Sequence, residues 1–431
     1  MKFFYKNAGV SNLELARSIS KLEQYGSHLF DVVKNSGYNS IESSLNLSSD
    51  ESILKEVLAL TKNKKSDDLK YIFVVGIGGS NLGTKAVYDA FFGYYDSLER
   101  ERFPKMIFLD TQDPDVLIKV NKLIDGLTNK GQVMVNAISK SGGTTETMAN
   151  LEVLYSTLSN KFGDISDRFV VTTNNGSKMH SKAKELEIDV LAIPETVGGR
   201  YSVLSSVGLF PLALMGINIQ KLRDGAVKMR ELCVNSSLRS NPAAVSAALL
   251  FQNSLNGKII NDNFIFLPQL ESLGKWYRQL MGESVGKDGK GITPTISIGS
   301  TDLHSVGQLY LGGPKDKITT FIYDQSNNNG VMVPSELTFG IIQTIKGKTI
   351  SSIMSAIVSG TKIAYEKQGL PYMEIVLEGV REREIGSFMQ FKMIEMMYLG
   401  HLYGVNAFDQ PHVELYKTET KRILEQGEKL A

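Results

Sequence analysis

The chain of 431 residues carries 47 Lys and Arg against 46 Asp and Glu, a formal net charge of +1, and is 42% hydrophobic and 22% charged. Such a length exceeds one ordinary hydrophobic core, so two packed domains with appendages are expected. The near-neutral balance gives no global reason to expect nucleic acid or an anionic membrane as partner, and the single cysteine, Cys233, excludes an internal disulfide and a cysteine-built metal site.

Residues 1–65 read as an N-terminal helical segment, with Leu13, Ile19, Leu22, Leu29 and Val32 at roughly helical spacing. The opening "MKFFYKNAGV" lacks a signal-peptide cleavage pattern. No uncharged apolar run reaches ~18 residues, the length of a membrane span, so a cytoplasmic location is expected. From Tyr71 short apolar runs appear at 71–75, 106–110, 133–138, 169–173 and 190–193, mostly with room for a helix between them. Strands alternating with helices imply a parallel sheet covered on both faces.

The first run leads into "VVGIGGSNLGTKA". A dinucleotide fingerprint requires a third glycine where Asn81 stands, and no phosphate-loop pattern of Gly, four residues, Gly-Lys-Ser/Thr occurs. A nicotinamide dehydrogenase is thereby disfavoured. A second, less regular α/β set has strand candidates at 264–267, 292–298, 318–323 and 373–377, helices at 351–367 and 385–402, and an amphipathic tail at 413–428. The expected division is 1–65, 66–225, 226–410 and 411–431, with the two α/β domains tightly apposed because no low-complexity linker separates them.

Ligands of open α/β sheets bind beyond the carboxyl ends of the strands, and five segments stand out as candidate sites. "SKSGGTTET" concentrates five hydroxyls, Ser139, Ser141, Thr144, Thr145 and Thr147, with Lys140 in a strand-to-helix turn. One or two hydroxyls would be ordinary capping chemistry, but this density with a lysine favours a phosphate site at a helix N-terminus. "ETVGGRYS" sets Arg200 after two glycines, where it serves either a surface ion pair or an anionic group. In "WYRQLMGESVGKDGKG", Gln279 and Glu283 share a helix face. A carboxylate at a helix carboxyl end faces the negative end of the dipole, which suits a general base in a partly dry site, although a lone Glu is more often solvated. "STDLHSVGQ" places His304 after a strand, and "NAFDQPHVELYK" holds Gln410 and Lys417. No His, Asp or Glu pair has convincing metal-ligand spacing.

Taken in order, "GIGGSNLG", "SKSGGTTET", "VGGRYSVLSSVGL", "GESVGKDGKG", "TDLHSVGQ" and "FDQPHVELYK" resemble the phosphoglucose isomerase family of compact bacterial type, over about residues 70–420. Each motif is weak alone; their common order is specific. The resemblance implies two sugar-isomerase (SIS) domains, each a parallel β-sheet flanked by helices in a flavodoxin-like three-layer αβα arrangement, with a C-terminal helix. It implies reversible isomerisation of glucose 6-phosphate and fructose 6-phosphate through ring opening and a cis-enediolate, with no cofactor and no metal. Gly79 and Ser80 would form the turn that contacts the sugar. Ser139, Lys140, Ser141 and Thr144 would cradle the phosphate, and Glu283 would move the proton between C2 and C1. Arg200 would stabilise the enediolate, His304 and Lys417 would open and close the ring, and Gln279 and Gln410 would bind hydroxyls. In this family His304 would come from the neighbouring subunit of a homodimer. His412 departs from the pattern, where relatives commonly carry glycine, and reads as facing water or tuning Lys417.

Two rivals share the fold. An isomerase of another phosphosugar would keep the same motifs. A non-catalytic SIS regulator would keep the phosphate turn but has no reason to keep Glu283, Arg200, His304 and Lys417 together.

Overall fold

The computed structural model describes residues 1–234, 237–325 and 330–426. Among these, ten strands form two five-stranded sheets. In chain order they are β1 (Lys2–Phe4), β2 (Tyr71–Val75), β3 (Lys105–Leu109), β4 (Val133–Ile138), β5 (Phe169–Thr173), β6 (Asp189–Ala192), β7 (Ile260–Ile265), β8 (Thr293–Ile298), β9 (Lys317–Asp324) and β10 (Tyr372–Leu377).

The first sheet has the order β3-β2-β4-β5-β6, with every neighbour parallel. This is the flavodoxin-like order, whose topological switch point lies between β2 and β4. The second sheet, read from the far edge, repeats it as β8-β7-β9-β10 in parallel, and β1 completes it antiparallel to β10. Each apolar run predicted from Tyr71 onward overlaps one of these strands, the run 264–267 extending two residues past the end of β7. The N-terminal segment is helical apart from β1, a strand too short to show a period of two. β7 begins earlier than its apolar run because Asn261, Asp262 and Asn263 are buried. Asp262 Oδ1 accepts hydrogen bonds from Thr295, Ser297 and Tyr310, which lets a carboxylate occupy the sheet interior.

Burial divides along the strands with period two. Ile72 and Val74 face the largest core, and Phe73 and Val75 face a second core on the other side of the first sheet. The largest core is shared by both sheets and filled by the helices Ile219–Cys233, Pro242–Leu255, Glu271–Val285 and Glu382–Tyr403. The last of these is buried without interruption from Ile385 to Gly400. It crosses Ile219–Cys233 backbone to backbone. A Cβ on Gly225 would stand 2.0 Å from the Arg383 carbonyl oxygen, and one on Gly386 would stand 1.9 Å from that of Leu222. The expected division at residue 225 thus falls inside a helix that packs on the second unit. Cys233 is buried in this layer, where burial pushes its thiol pKa up, as befits a packing residue. Among the described residues no helix is long and apolar enough to cross a membrane.

Candidate active site

The loops that leave the carboxyl ends of β2, β4, β5 and β6 surround one cleft of about 700 Å3, closed on its other side by helix Glu271–Val285 and the C-terminal helix Val413–Gln426. Its position at the switch point follows from the sheet order. The turn after β2 sits low because glycine allows it. A Cβ on Gly79 would lie 2.2 Å from the Gly199 carbonyl carbon and 2.5 Å from Arg200 N, so only a bare backbone brings these two turns together. Gly78, at φ +59°, is in the left-handed region.

After β4, Lys140, Ser141, Gly143, Thr144 and Thr145 line the cleft at the N-terminus of helix Thr145–Phe162. Ser139 stands behind this turn. It is buried, its hydroxyl pairs with Thr144 Oγ1 at 3.1 Å, and it accepts from the Gly142 amide at 3.2 Å. Its side chain therefore shapes the cradle. Thr144 is the N-cap, yet its side chain makes no capping bond and stays with Ser139. Burial holds the Lys140 ammonium below the usual lysine pKa, and Glu195 across the cleft pulls it the other way.

Opposite this turn, Arg200 and Glu283 form the charged centre. Arg200 has a side chain only 1% exposed, whereas Glu283 is 30% exposed. Arg200 Nη1 lies 3.2 Å from Glu283 Oε2 and donates to Gln410 Oε1 at 2.9 Å. Nη2 donates to the carbonyls of Ala407 at 2.6 Å and Asp409 at 3.1 Å, and Nε donates to Ser284 Oγ at 2.9 Å. Glu283 lies in the last turn of its helix and accepts on Oε1 from Gln279 Nε2 at 3.0 Å. The arrangement fixes a half-open carboxylate beside a dry cation, which is suited to moving a proton while negative charge develops nearby.

Of the twelve residues singled out from sequence, ten line the cleft: Gly79, Ser80, Lys140, Ser141, Thr144, Arg200, Gln279, Glu283, Gln410 and Lys417. Lys417 Nζ is paired with Glu414 Oε1 at 2.7 Å on the C-terminal helix. His304 is exposed at the end of the 3-10 turn Thr301–His304, after β8, and does not line this chain's cleft. His412 is exposed and also outside the lining. The structure adds Asn174, Glu195, Tyr416, Thr420 and Lys421 to the wall. Lys421, one helical turn beyond Lys417, was legible by its spacing; the others carry no local signal. Among the described residues no group of three or more His, Cys, Asp or Glu is arranged to hold a metal ion.

Comparison with known proteins locates this geometry. Residues 52–430 match the family model described as phosphoglucose isomerase. A probable glucose-6-phosphate isomerase of Methanococcus maripaludis is 32% identical over 97% of this chain and 93% of its own length. A glucose-6-phosphate isomerase of Leptospira biflexa is 36% identical over 82% of this chain and 80% of its own length. Among solved structures, a hypothetical protein from Thermus thermophilus superposes with a TM-score of 0.88 at 29% identity, covering 98% of this chain and 99% of that one. A glucose-6-phosphate isomerase from Chlamydia trachomatis shares the fold, with a TM-score of 0.82 at 21% identity over 99% of this chain and 89% of that one.

Proposed function

The chain belongs to the phosphoglucose isomerase family and has the activity of a glucose-6-phosphate isomerase, the interconversion of glucose 6-phosphate and fructose 6-phosphate; we propose that the cleft at the β2–β4 switch point performs it with Glu283 as the base. The observation that carries this assignment is the ion pair of Glu283 with buried Arg200, set in the same cleft as the Lys140–Thr145 turn. Lys140, Ser141, Thr144 and the amide ends of helix Thr145–Phe162 hold the phosphate, with Ser139 bracing them. Anchoring the phosphate lets remote binding energy serve alignment of C1 and C2 over the base.

Glu283 takes the C2 proton and returns it to C1, the electron pair of the broken C–H bond moving into the enediolate. The negative charge thus passes from the carboxylate to the sugar oxygens while Arg200 stays beside both, so little reorganisation is needed. Gly79 and Ser80 lie along the sugar, Gln279 and Gln410 meet its hydroxyls, and Lys417 acts with His304 on the ring. His304 serves the cleft of a second copy in a homodimer. Its exposure, and its absence from its own chain's cleft, support this reading. So do the exposed apolar side chains between β9 and helix Ile350–Gln368, Phe339 at 90% and Ile341 at 86%, which this chain leaves uncovered. The same reading places the enzyme in the cytoplasm, in glycolysis and gluconeogenesis.

A coupled assay with glucose 6-phosphate, fructose 6-phosphate and mannose 6-phosphate, in the presence of a chelator, tests it. Rapid turnover of the first two with chelator present is expected. Preference for mannose 6-phosphate would make this an isomerase of another phosphosugar, and binding without turnover would make it a regulator.

A further inference from the structure

Lys287 lies just past the carboxyl end of helix Glu271–Val285 and has no part in the chemistry above. It is 7% exposed, and burial pushes its pKa down against the pull of Asp409. A lysine kept this dry is costly unless its ammonium is well paired. Its Nζ donates to the Asn406 carbonyl and, at 2.7 Å, to Asp409 Oδ1. Asn406 Nδ2 donates to the other oxygen of that carboxylate at 3.0 Å. Lys290, on the same turn, donates to the Tyr403 carbonyl at 2.9 Å. The turn after the helix therefore grips the loop between Tyr403 and Gln410 at several points. The same loop gives Arg200 its partners at Ala407, Asp409 and Gln410. It is clasped between two cations distant in sequence.

We propose that Lys287 is a positioning residue for the isomerisation: by fixing the 406–410 loop to the end of the helix that carries Glu283, it sets where Gln410 and the Arg200 guanidinium stand over the base. This rests on the roles proposed above for Arg200 and Gln410. Glu283 and Lys287 leave one helix end, so any slack in the loop becomes a displacement of Arg200's partners relative to the carboxylate. A misplacement of ~1 Å at a reacting centre can cost about 10²-fold in rate.

Lys287→Met is expected to lower kcat by about 10- to 100-fold, with the inhibition constant of inorganic phosphate unchanged, because the phosphate turn lies across the cleft. Lys287→Arg should recover most of the loss. Combined with Gln410→Ala, Lys287→Met should cost less than the product of the two single losses, since both act through one loop. Should Lys287→Met fail to fold, Asp409→Asn removes the ion pair at nearly constant shape and should give the same split. Unchanged kcat in both Lys287→Met and Asp409→Asn would overturn the proposal, as would multiplicative losses with Gln410→Ala or parallel loss of phosphate binding. If Gln410→Ala and Arg200→Lys are themselves neutral in kcat, the roles assigned to those residues fail instead, which separates the two claims.

Discussion

Gln279 and Glu283, four residues apart on one helix, are joined by a 3.0 Å hydrogen bond from the amide nitrogen to Oε1, on the oxygen that Arg200 leaves free. Each carboxylate oxygen therefore has one fixed donor, which restricts the rotation of a side chain that is 30% exposed. The partners come from opposite ends of the sequence logic: Gln279 is local to the helix, whereas Arg200 arrives from the loop after β6.

Replacing Glu283 with Gln keeps the size of the side chain and removes the proposed base. Arg200 retains Ser284, Ala407, Asp409 and Gln410, so the fold should hold. The expected result is a fall in kcat of about 10²–10⁴-fold, with substrate still bound and exchange of the C2 proton with solvent deuterium stopped. Near-normal exchange would assign the proton transfer to another group.

The proposed phosphate turn, residues 140–145, should behave differently. Ser141→Ala or Thr144→Ala removes a hydroxyl from the cradle without touching Arg200 or Glu283, so KM should rise more than kcat falls. A charge-assisted hydrogen bond is worth about 1.5–3 kcal/mol, roughly a ten- to hundredfold change in KM. An unchanged KM in both variants would move the phosphate elsewhere. Ser139→Ala should give a smaller effect of the same kind, because that hydroxyl acts through Thr144 and Gly142.

Lys140 links the site to stability. Its pKa in the fold is lowered by burial, so the charged form is disfavoured relative to the unfolded chain. The sign follows from linkage: the cost is fully present below the folded pKa and is relieved as pH rises through it towards the unfolded value. Lys140→Met should therefore not lower Tm near pH 7 and should weaken inorganic phosphate binding. The difference in Tm between the variant and the parent should shrink towards pH ~10. Thermal melts at both pH values, with and without phosphate, check this; a clear loss of stability near pH 7 would show that the ammonium supports the empty fold.

Much of this site was legible because function concentrates where parallel strands end. Each glycine- and hydroxyl-rich segment follows a strand, so the order of the runs alone brings Gly79, Ser141 and Arg200 to one sheet edge. What stayed hidden depends on long-range contact. The partners of Arg200 at Ala407 and Gln410 and the grip of Lys287 on Asp409 join segments more than a hundred residues apart, and no local period reports them. β1 escaped because three residues show no alternation, and the start of β7 because its buried polar run imitates a loop. Ser139 belongs to the turn as its sequence suggests, but its inward orientation is set by the 3.1 Å contact with Thr144, which sequence does not reveal.

The proposed sharing of the site between two copies has a stoichiometric test. His304 is exposed after β8, outside the cleft that holds Glu283 of the same chain. If each cleft takes its histidine from the other copy of a two-fold dimer, Glu283→Gln and His304→Ala damage different clefts of a mixed dimer in a defined way. A dimer of one chain of each kind has one cleft with both residues intact and one with neither. Random pairing makes half the dimers mixed, so about a quarter of all clefts should be whole. Each variant alone should remain weakly active, and unfolding and refolding them together at equal amounts should restore up to about a quarter of parental activity. Refolding each variant with itself should restore nothing. If His304 served its own chain's cleft, no pairing could produce a whole site, and the mixture would show only the average of the two variants. That average would refute sharing while leaving the assignment of Glu283 standing.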